Sequence, residues 1–373
     1  MQGLYGTGLG GSNLAAIDFA ENERRQTPYA VLWLLFFAVA LVVQLVLLPR
    51  FFLRFHAGDG LRVGGDWLFF HRLAVDLSEA IRAQGWSAWT LRPANQAPAG
   101  IAAAIYALTV PRPFMVLPLN AALHATSAVL LLLILQRLLP DWRKALWGVL
   151  PFFFFPSTLT WLASLHKDGF FIAGFFCFIL GWVNLTAGLA EPPNWRKRLL
   201  NLSAVAAGGC LVWIVRPYAV QFLFVLGFLL ALGVSGWLLG RGRKLASVRK
   251  HLTVSFLYLW MVCGVLYPLV NWEGMEVDTV AVAEVLWRRT WLVPAFLDSR
   301  LYSISIVREN YIIKTYPTGG SMIDEEVSFH NAWDLALYTP RAFQIALLSP
   351  FPRHWLEEGD ARSQYPHAPG FRV

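Results

Sequence analysis

About seven apolar runs of roughly 20 residues each dominate the chain, and a helix of that length can cross the hydrocarbon core of a bilayer. Only 14% of the 373 residues are charged, whereas soluble domains carry roughly 25%. We therefore expect an all-α fold, a polytopic membrane helix bundle of about seven spans. The runs cover residues 29–48, 114–135, 145–165, 170–189, 199–215, 219–239 and 252–270.

Basic residues gather in alternate connections between these runs. Seven spans put all of these clusters on one side of the membrane, which the positive-inside rule makes cytoplasmic. This topology accounts for the formal net charge of +8, and we expect no nucleic-acid partner. The clusters are Arg24 and Arg25; Arg137, Arg143 and Lys144; Arg196, Lys197 and Arg198; and Arg241, Arg243, Lys244, Arg249 and Lys250.

The same topology divides the chain into three parts. We expect a flexible cytoplasmic N-terminal tail at residues 1–28, a transmembrane bundle at 29–271 with an outer loop at 50–113, and a mixed, extracytoplasmic, membrane-adjacent segment at 272–373. The expected location is a bacterial plasma (inner) membrane. Residues 98–110 are apolar but cover only about 20 Å as a helix. We interpret them as an interfacial or half-membrane helix, because a span there would invert the sidedness that follows.

Sequence motifs exclude several enzyme classes. The chain contains no HExxH, Walker A, GxSxG or paired CxxC motif. It therefore lacks the catalytic motifs of zinc proteases, ATPases and serine hydrolases. Residues 6–11 match G-x-G-x-x-G without a preceding strand or a following βαβ unit, which favours a flexible tail. Cys177, Cys210 and Cys263 lie inside apolar runs, where cysteine behaves as a small hydrophobe.

An amphipathic helix with an acidic residue at its start is predicted in the outer loop. Its apolar positions recur at helical spacing, so we expect the helix to lie on the membrane surface. Asp66 either caps this helix or holds a catalytic carboxylate at the surface, and the sequence leaves both interpretations open. Asp59, in a glycine-rich turn of the same loop, is a less well-placed alternative. The apolar positions are Phe70, Leu73, Leu77 and Ile81.

Three ionisable residues, His166, Lys167 and Asp168, stand between two apolar runs with almost no loop to hold them. Such groups are costly at a membrane unless they line a water-filled cavity or bind a charged ligand. Lys167 and Asp168 form either a local ion pair or, with the following helix N-terminus, a phosphate site. His166 is a supporting candidate. Arg216 either snorkels to lipid headgroups or faces the same cavity.

These short motifs resemble those of the GT-C superfamily of membrane glycosyltransferases, in particular bacterial protein O-mannosyltransferases and lipid A aminoarabinose transferases. The resemblance covers residues 29–217 by pattern. It consists of an acidic residue early in the first outer loop, an amphipathic loop helix and a polar corner between the third and fourth spans. The residues that carry it are Gly65-Asp66-Trp67, Pro156-Ser157, Lys167-Asp168 and Arg216-Pro217.

The resemblance implies inverting transfer of a sugar from a polyprenyl-phosphate donor to an extracytoplasmic glycan, lipid or protein acceptor. It implies that Asp66 is the general base for the acceptor hydroxyl and that Asp168 is a second acidic site. Lys167, together with Arg216, would bind the donor phosphate as it leaves. The partners would be the lipid-linked donor, the acceptor and membrane lipids.

Two other classes of function stay open. A polysaccharide polymerase, ligase or flippase would also hold a lipid-linked phosphate with basic groups, but it needs no single carboxylate. A non-catalytic assembly subunit of the cell envelope would use all of these residues only at interfaces. Two acids on one face would suit a divalent cation, Mg²⁺ or Mn²⁺, although no dedicated ligand set is visible in the sequence.

Overall fold

The computed structural model describes residues 29–53, 56–62, 66–139, 141–154, 162–187, 195–240, 242, 244–266, 286–315, 323–324, 326–348, 358–359 and 370–371. The predicted N-terminal tail, with its glycine motif at residues 6–11, lies outside the described residues. So does the 156–161 part of the polar corner.

Helices make up most of the described chain, as the apolar runs predict, and strands contribute little. The helices are α1 (Tyr29–Phe51), α2 (Asp66–Gln84), α3 (Ala97–Leu108), α4 (Leu117–Leu138), α5 (Trp142–Phe154), α6 (Asp168–Ala187), α7 (Trp195–Val215), α8 (Val220–Gly240), α9 (Leu245–Leu266), α10 (Ala295–Thr315) and α11 (Ala332–Leu348). Two short antiparallel pairs of strands are described beside the helices. They are β1 (His56–Gly58) with β2 (Leu61–Arg62), and β3 (Glu358–Gly359) with β4 (Gly370–Phe371).

Four of the described helices are long and apolar enough to cross a membrane. The chain is therefore a membrane protein by its helices, while the expected number of about seven spans is not confirmed. Of the predicted span at residues 145–165, the structure describes α5 up to Phe154 and then residues 162–165; residues 155–161 lie outside the described residues. The four helices run over Tyr29–Phe51, Pro113–Leu138, Trp195–Val215 and Pro217–Gly240.

The chain divides into two compact units. The first, here the bundle unit, contains residues 1–47 and 69–270. The second, here the C-terminal unit, contains residues 48–68 and 271–373, so the beginning of the predicted outer loop groups with the C-terminal segment.

Helices α6 and α7 pack closely and antiparallel within the bundle unit. A Cβ atom on Gly208 would lie only 2.5 Å from the Gly174 carbonyl oxygen, and one on Gly181 would lie 2.8 Å from the carbonyl oxygen of Asn201. Glycine therefore lets the two backbones touch, as small residues do between membrane helices. The buried side chains around this contact include Phe178 and Trp182.

A second core joins α1, α4 and α5. Phe36 is buried and stacks on Phe153, with 5.4 Å between the ring centroids. The Trp33 indole N–H donates to the carbonyl of Pro118 at 3.0 Å. These contacts hold α1 across the first half of α4, where the polar corner is anchored.

Helices α2 and α3 form the rest of the outer loop. Helix α2 is amphipathic as predicted, but Phe70 and Ile81 are buried in protein, which corrects the expectation that this face lies on lipid. Arg82 of α2 donates to the carbonyls of Tyr106 and Thr109 at the end of α3. Helix α3 has 12 residues, about 18 Å, so it is too short to cross a bilayer, in agreement with the half-membrane interpretation.

In the C-terminal unit, α10 and α11 are joined by a polar connection. Ser305 donates to the carbonyl of Phe329 at 2.7 Å, and Arg308 donates to the carbonyls of Val327 and Asp324. The Arg308 guanidinium also lies 5.6 Å from the ring centroid of Tyr338. One arginine of α10 thus holds the connection that leads into α11.

Candidate functional site

The polar corner of the bundle unit brings together four of the predicted residues, His166, Lys167, Asp168 and Arg216, here called the corner cluster. Asp168 is the first residue of α6, and Arg216 directly follows the end of α7. The Arg216 Nη2 donates to Asp168 Oδ1 at 2.5 Å. On the other side of the carboxylate, His166 Nδ1 lies 2.6 Å from Asp168 Oδ2. The antiparallel packing of α6 and α7 therefore creates an ion pair between residues 48 positions apart.

His166 Nδ1 has a second neighbour, the backbone nitrogen of Asp168 at 3.0 Å. A ring nitrogen without a proton accepts the Asp168 N–H, and one with a proton donates to the Asp168 carboxylate. One nitrogen cannot do both at once. Which part of Asp168 the ring binds therefore depends on whether Nδ1 carries a proton, and the two tautomers of the neutral ring differ in this respect.

The Asp168 carboxyl lies just before the apolar segment that starts at Phe170 and is only 15% exposed. Burial alone would raise its pKa. The hydrogen bond with His166 and the charges of His166, Arg216 and Lys167 outweigh burial and lower the pKa from its ordinary value. Asp168 is thus an ionised partner of the surrounding cations at neutral pH.

Both permanent cations of the corner cluster lie against aromatic rings. The Lys167 ammonium is 5.2 Å from the ring centroid of Phe70 in α2. The Arg216 guanidinium is 5.1 Å from the ring centroid of Phe171 in α6. Such cation–π contacts fix the direction of a cation without using up its hydrogen-bond donors.

Arg216 keeps most of its hydrogen-bonding capacity. A guanidinium has five N–H donors, and the Arg216 side chain bonds only through Nη2 to a protein acceptor within the described part of the chain. Its side chain is 31% exposed. The remaining donors match the geometry of a phosphate or carboxylate ligand.

Two buried amides anchor the segment that leads into the corner cluster. Asn120 of α4 donates from Nδ2 to the carbonyls of Leu162 and Ser164 at 3.0 and 2.8 Å. Gln44 of α1 donates to the carbonyl between them, that of Ala163, at 2.8 Å. Three successive carbonyls that would be costly to bury unpaired are thereby satisfied. The corner is held by two helices that the sequence analysis did not connect with it.

Arg92 supports the other half of the corner cluster. It donates to the carbonyls of Trp213 and Ile214 at 2.6 and 3.0 Å, and its guanidinium lies 4.1 Å from the ring centroid of Trp213. The last carbonyls of a helix lack partners within the helix. Arg92 supplies partners at the end of α7 and so fixes the start of the turn that carries Arg216.

Asn120, Gln44 and Arg92 are functional-site residues that sequence reasoning missed. Gln44 and Asn120 stand inside predicted spans, and a polar residue within a span is a signal for buried hydrogen bonding. Arg92 lies in the outer loop, where an arginine carries no such signal. Its partner could be found only from the structure.

The two other predicted acids lie in the C-terminal unit. Asp66 is the exposed first residue of α2, where the helix dipole favours a carboxylate. Asp59 has a φ of 50° and precedes Gly60, with a φ of 76°, between β1 and β2. An Asp-Gly pair with both φ values positive is typical of a two-residue hairpin turn, so the turn explains Asp59 without a role in catalysis.

Within the described residues, no group of three or more His, Cys, Asp or Glu side chains could hold a metal ion. No protein-family model, curated protein or solved structure matches this chain. The function is therefore inferred from the residues and their geometry.

Proposed function

We propose that the chain is a membrane glycosyltransferase that moves a sugar from a polyprenyl-phosphate donor to an extracytoplasmic acceptor, with inversion at the sugar carbon. The corner cluster holds the phosphate of the donor. Asp66 takes the proton from the acceptor hydroxyl, which then attacks the sugar carbon while the lipid phosphate leaves.

The observation that carries the proposal is that the Arg216 guanidinium keeps donors beyond its single bond to Asp168, a carboxylate whose pKa is also lowered by the charge of Lys167. Two permanent cations share one carboxylate there, so the corner cluster retains net positive charge. The first turn of α6 adds backbone N–H groups, which favour an anion at a helix N-terminus. A phosphate that gains negative charge as it leaves is stabilised by such donors.

The role of Asp66 is supported by its position and by the helix that it begins. Asp66 is the first residue of α2, where the helix dipole favours an ionised carboxylate. Asp66 is exposed, as a base for an external acceptor must be. The hairpin turn at Asp59 leaves Asp66 as the better candidate of the two loop acids.

Binding of the donor is tested with Lys167→Ala and Arg216→Gln in full-length protein reconstituted in nanodiscs. Each change is expected to weaken binding of a polyprenyl-phosphate analogue by about tenfold, the effect of losing one charge-assisted hydrogen bond. Lys144→Ala removes an exposed lysine from α5 and is the matched control. Unchanged affinity in both corner variants would assign the cluster a structural role and contradict the proposal.

Catalysis is tested with Asp66→Asn, which keeps the shape of the side chain and removes the base. Sugar transfer is expected to fall by roughly 10²-fold or more, with donor binding retained. Asp76→Asn on the same helix is the matched control. Full transfer by Asp66→Asn with donor binding intact would favour a polymerase, ligase or flippase. If every variant keeps both donor binding and sugar transfer at the parent level, the result would favour an envelope assembly subunit.

The finer topology belongs to the same proposal: about seven spans in a bacterial inner membrane, with a cytoplasmic N-terminus and an extracytoplasmic corner cluster. It is supported by the antiparallel order of α6 and α7, because Arg196, Lys197 and Arg198 begin α7 and Arg216 follows its end. Cysteines introduced at Trp195 and Trp86 should react with a membrane-impermeant maleimide from opposite sides. Reaction from one side would contradict this topology.

Stimulation of transfer by Mg²⁺ or Mn²⁺ after chelation tests the metal requirement.

A further inference from the structure

One stretch of the C-terminal unit exposes large apolar side chains in unusual density. Trp291 is 85% exposed, Phe296 74%, Leu286 73% and Leu292 58%. They fall within residues 286–297, here called the Trp291 loop. Contiguous exposed apolar surface of this kind marks a site of association with a membrane or another molecule.

The Trp291 loop is built to hold these side chains outward. Asp298, which is buried, accepts the backbone N–H of Thr290 at 3.2 Å and the indole N–H of Trp287 at 3.1 Å. The N–H of Val293 closes a turn on the carbonyl of Thr290 at 3.0 Å. The loop therefore has fixed internal bonds, and the exposure of Trp291 follows from its geometry.

Two exposed arginines, Arg288 and Arg289, lie between Leu286 and Trp291. The backbone N–H of Arg288 donates to the carbonyl of His330 at 2.7 Å, which fixes the start of the loop. Exposed tryptophan, phenylalanine and leucine beside arginine are typical of segments that lie in the headgroup region of a bilayer.

We propose that the Trp291 loop docks on the surface of an anionic bilayer, with Trp291, Leu292 and Phe296 at the boundary of the acyl chains and Arg288 and Arg289 at the lipid phosphates. Four helices of this chain are long and apolar enough to cross a membrane, so the loop belongs to a chain that is held at a bilayer. The positive charge of the arginine pair complements anionic headgroups. The docking site is distinct from the corner cluster and does not depend on the proposed transferase activity.

The test uses full-length protein in nanodiscs, with the three native cysteines replaced by alanine and one new cysteine carrying an environment-sensitive fluorophore. Leu292→Cys places the probe in the Trp291 loop, and Ser328→Cys places it at an exposed polar position of the same unit as a matched control. We expect blue-shifted emission, and several-fold stronger quenching by brominated lipid, at position 292 than at position 328. Adding Arg288→Gln and Arg289→Gln should remove the difference between anionic and zwitterionic nanodiscs.

Two outcomes would overturn the proposal. If aqueous iodide quenches the probe at position 292 as readily as the probe at position 328, the loop is in water. If the probe at position 292 is protected from iodide but insensitive to brominated lipid, protein covers the loop. Near-UV circular dichroism of each labelled variant, compared with the unlabelled parent, shows that the readouts come from folded protein.

Discussion

Each unit of this molecule contains an aspartate bound by an arginine, but the two pairs are built differently. In the C-terminal unit, Arg341 binds Asp324 through Nε at 2.8 Å and Nη2 at 2.9 Å, and its Nη1 donates to Gln344 at 2.7 Å. Tyr338 donates to the same carboxylate at 2.9 Å. In the bundle unit, Arg216 reaches Asp168 through Nη2 alone.

The difference separates a closed ion pair from an open one. Every nitrogen of the Arg341 guanidinium has a protein partner, so the pair at Asp324 fixes the connection between α10 and α11. The pair at Asp168 positions Arg216 with a single bond and leaves donors for a ligand. The same two residue types thus act as a structural link in one unit and as a candidate anion site in the other.

The largest expected effect comes from separating the helices that carry the open pair. Asp324 and Arg341 are 17 residues apart, whereas Asp168 and Arg216 meet only because α6 and α7 touch at glycines. Gly208→Leu should destabilise the bundle unit by about 3 kcal/mol, at the upper end for overpacking, and abolish binding of a polyprenyl-phosphate analogue. Hydrogen exchange of α6 and α7 and binding in nanodiscs are the measurements.

Gly233→Leu is the matched control, because no atom lies within 4 Å of a Cβ placed on Gly233 in α8. It should leave both exchange and binding near wild type. Equal losses in the two variants would show that any large side chain in the bundle is harmful. The close contact between α6 and α7 would then not be what holds the open pair.

The next effect concerns the side chains that bind backbone carbonyls in each unit, Asn120 in the bundle unit and Arg308 in the C-terminal unit. Asn120→Leu removes both bonds to the carbonyls of Leu162 and Ser164, and Arg308→Met removes the bonds to Asp324 and Val327 while keeping much of the apolar stem. Each loss of these hydrogen bonds should cost about 2 kcal/mol. Hydrogen exchange should show each cost only in the variant's own unit. A loss of protection that spreads across both units would contradict the separation.

Arginine replacements test the closed and open pairs directly. Arg216→Gln should reduce affinity for the phosphate analogue with little effect on hydrogen exchange. Arg341→Gln should leave affinity unchanged and raise the exchange rate at the start of α11 by about tenfold, since its bonds close a local structure. The reverse pattern would assign the ligand site to the C-terminal unit.

The sequence predicted the helical membrane class because long apolar runs leave few alternatives in a bilayer. It did not predict that Phe70 and Ile81 of α2 are buried in protein, since an amphipathic pattern marks an apolar face but does not identify what covers that face. The turn at Asp59-Gly60 shows the same limit at short range. Its Asp-Gly pair is a hairpin signal, but the apolar pattern around it indicated only an outer loop.

Sequence reasoning also selected the corner residues, because three ionisable side chains between apolar runs are costly without a purpose. It could not pair Asp168 with Arg216, since that contact depends on the register of α6 and α7. The amide anchors Gln44 and Asn120 belong to the same class of long-range contact. A single sequence shows which residues are polar, but their partners come from packing.

The smallest expected effect is the pH dependence of the stabilisation that the closed pair, Asp324 and Arg341, gives to α11. The hydrogen bond from Arg341 lowers the pKa of Asp324 from its ordinary value, with further contributions from Tyr338 and the charges of Arg341 and Arg308 that outweigh burial. A carboxyl whose folded pKa is depressed stabilises the fold above its unfolded pKa, and this stabilisation is lost as the pH falls through the folded value. Protection of α11 should therefore stay constant from neutral pH to about pH 4, close to the ordinary pKa, and decrease below it. Asp324→Asn should flatten this decrease. If the variant keeps the full acid dependence, other carboxyls cause it and the closed pair does not stabilise the connection through its charge.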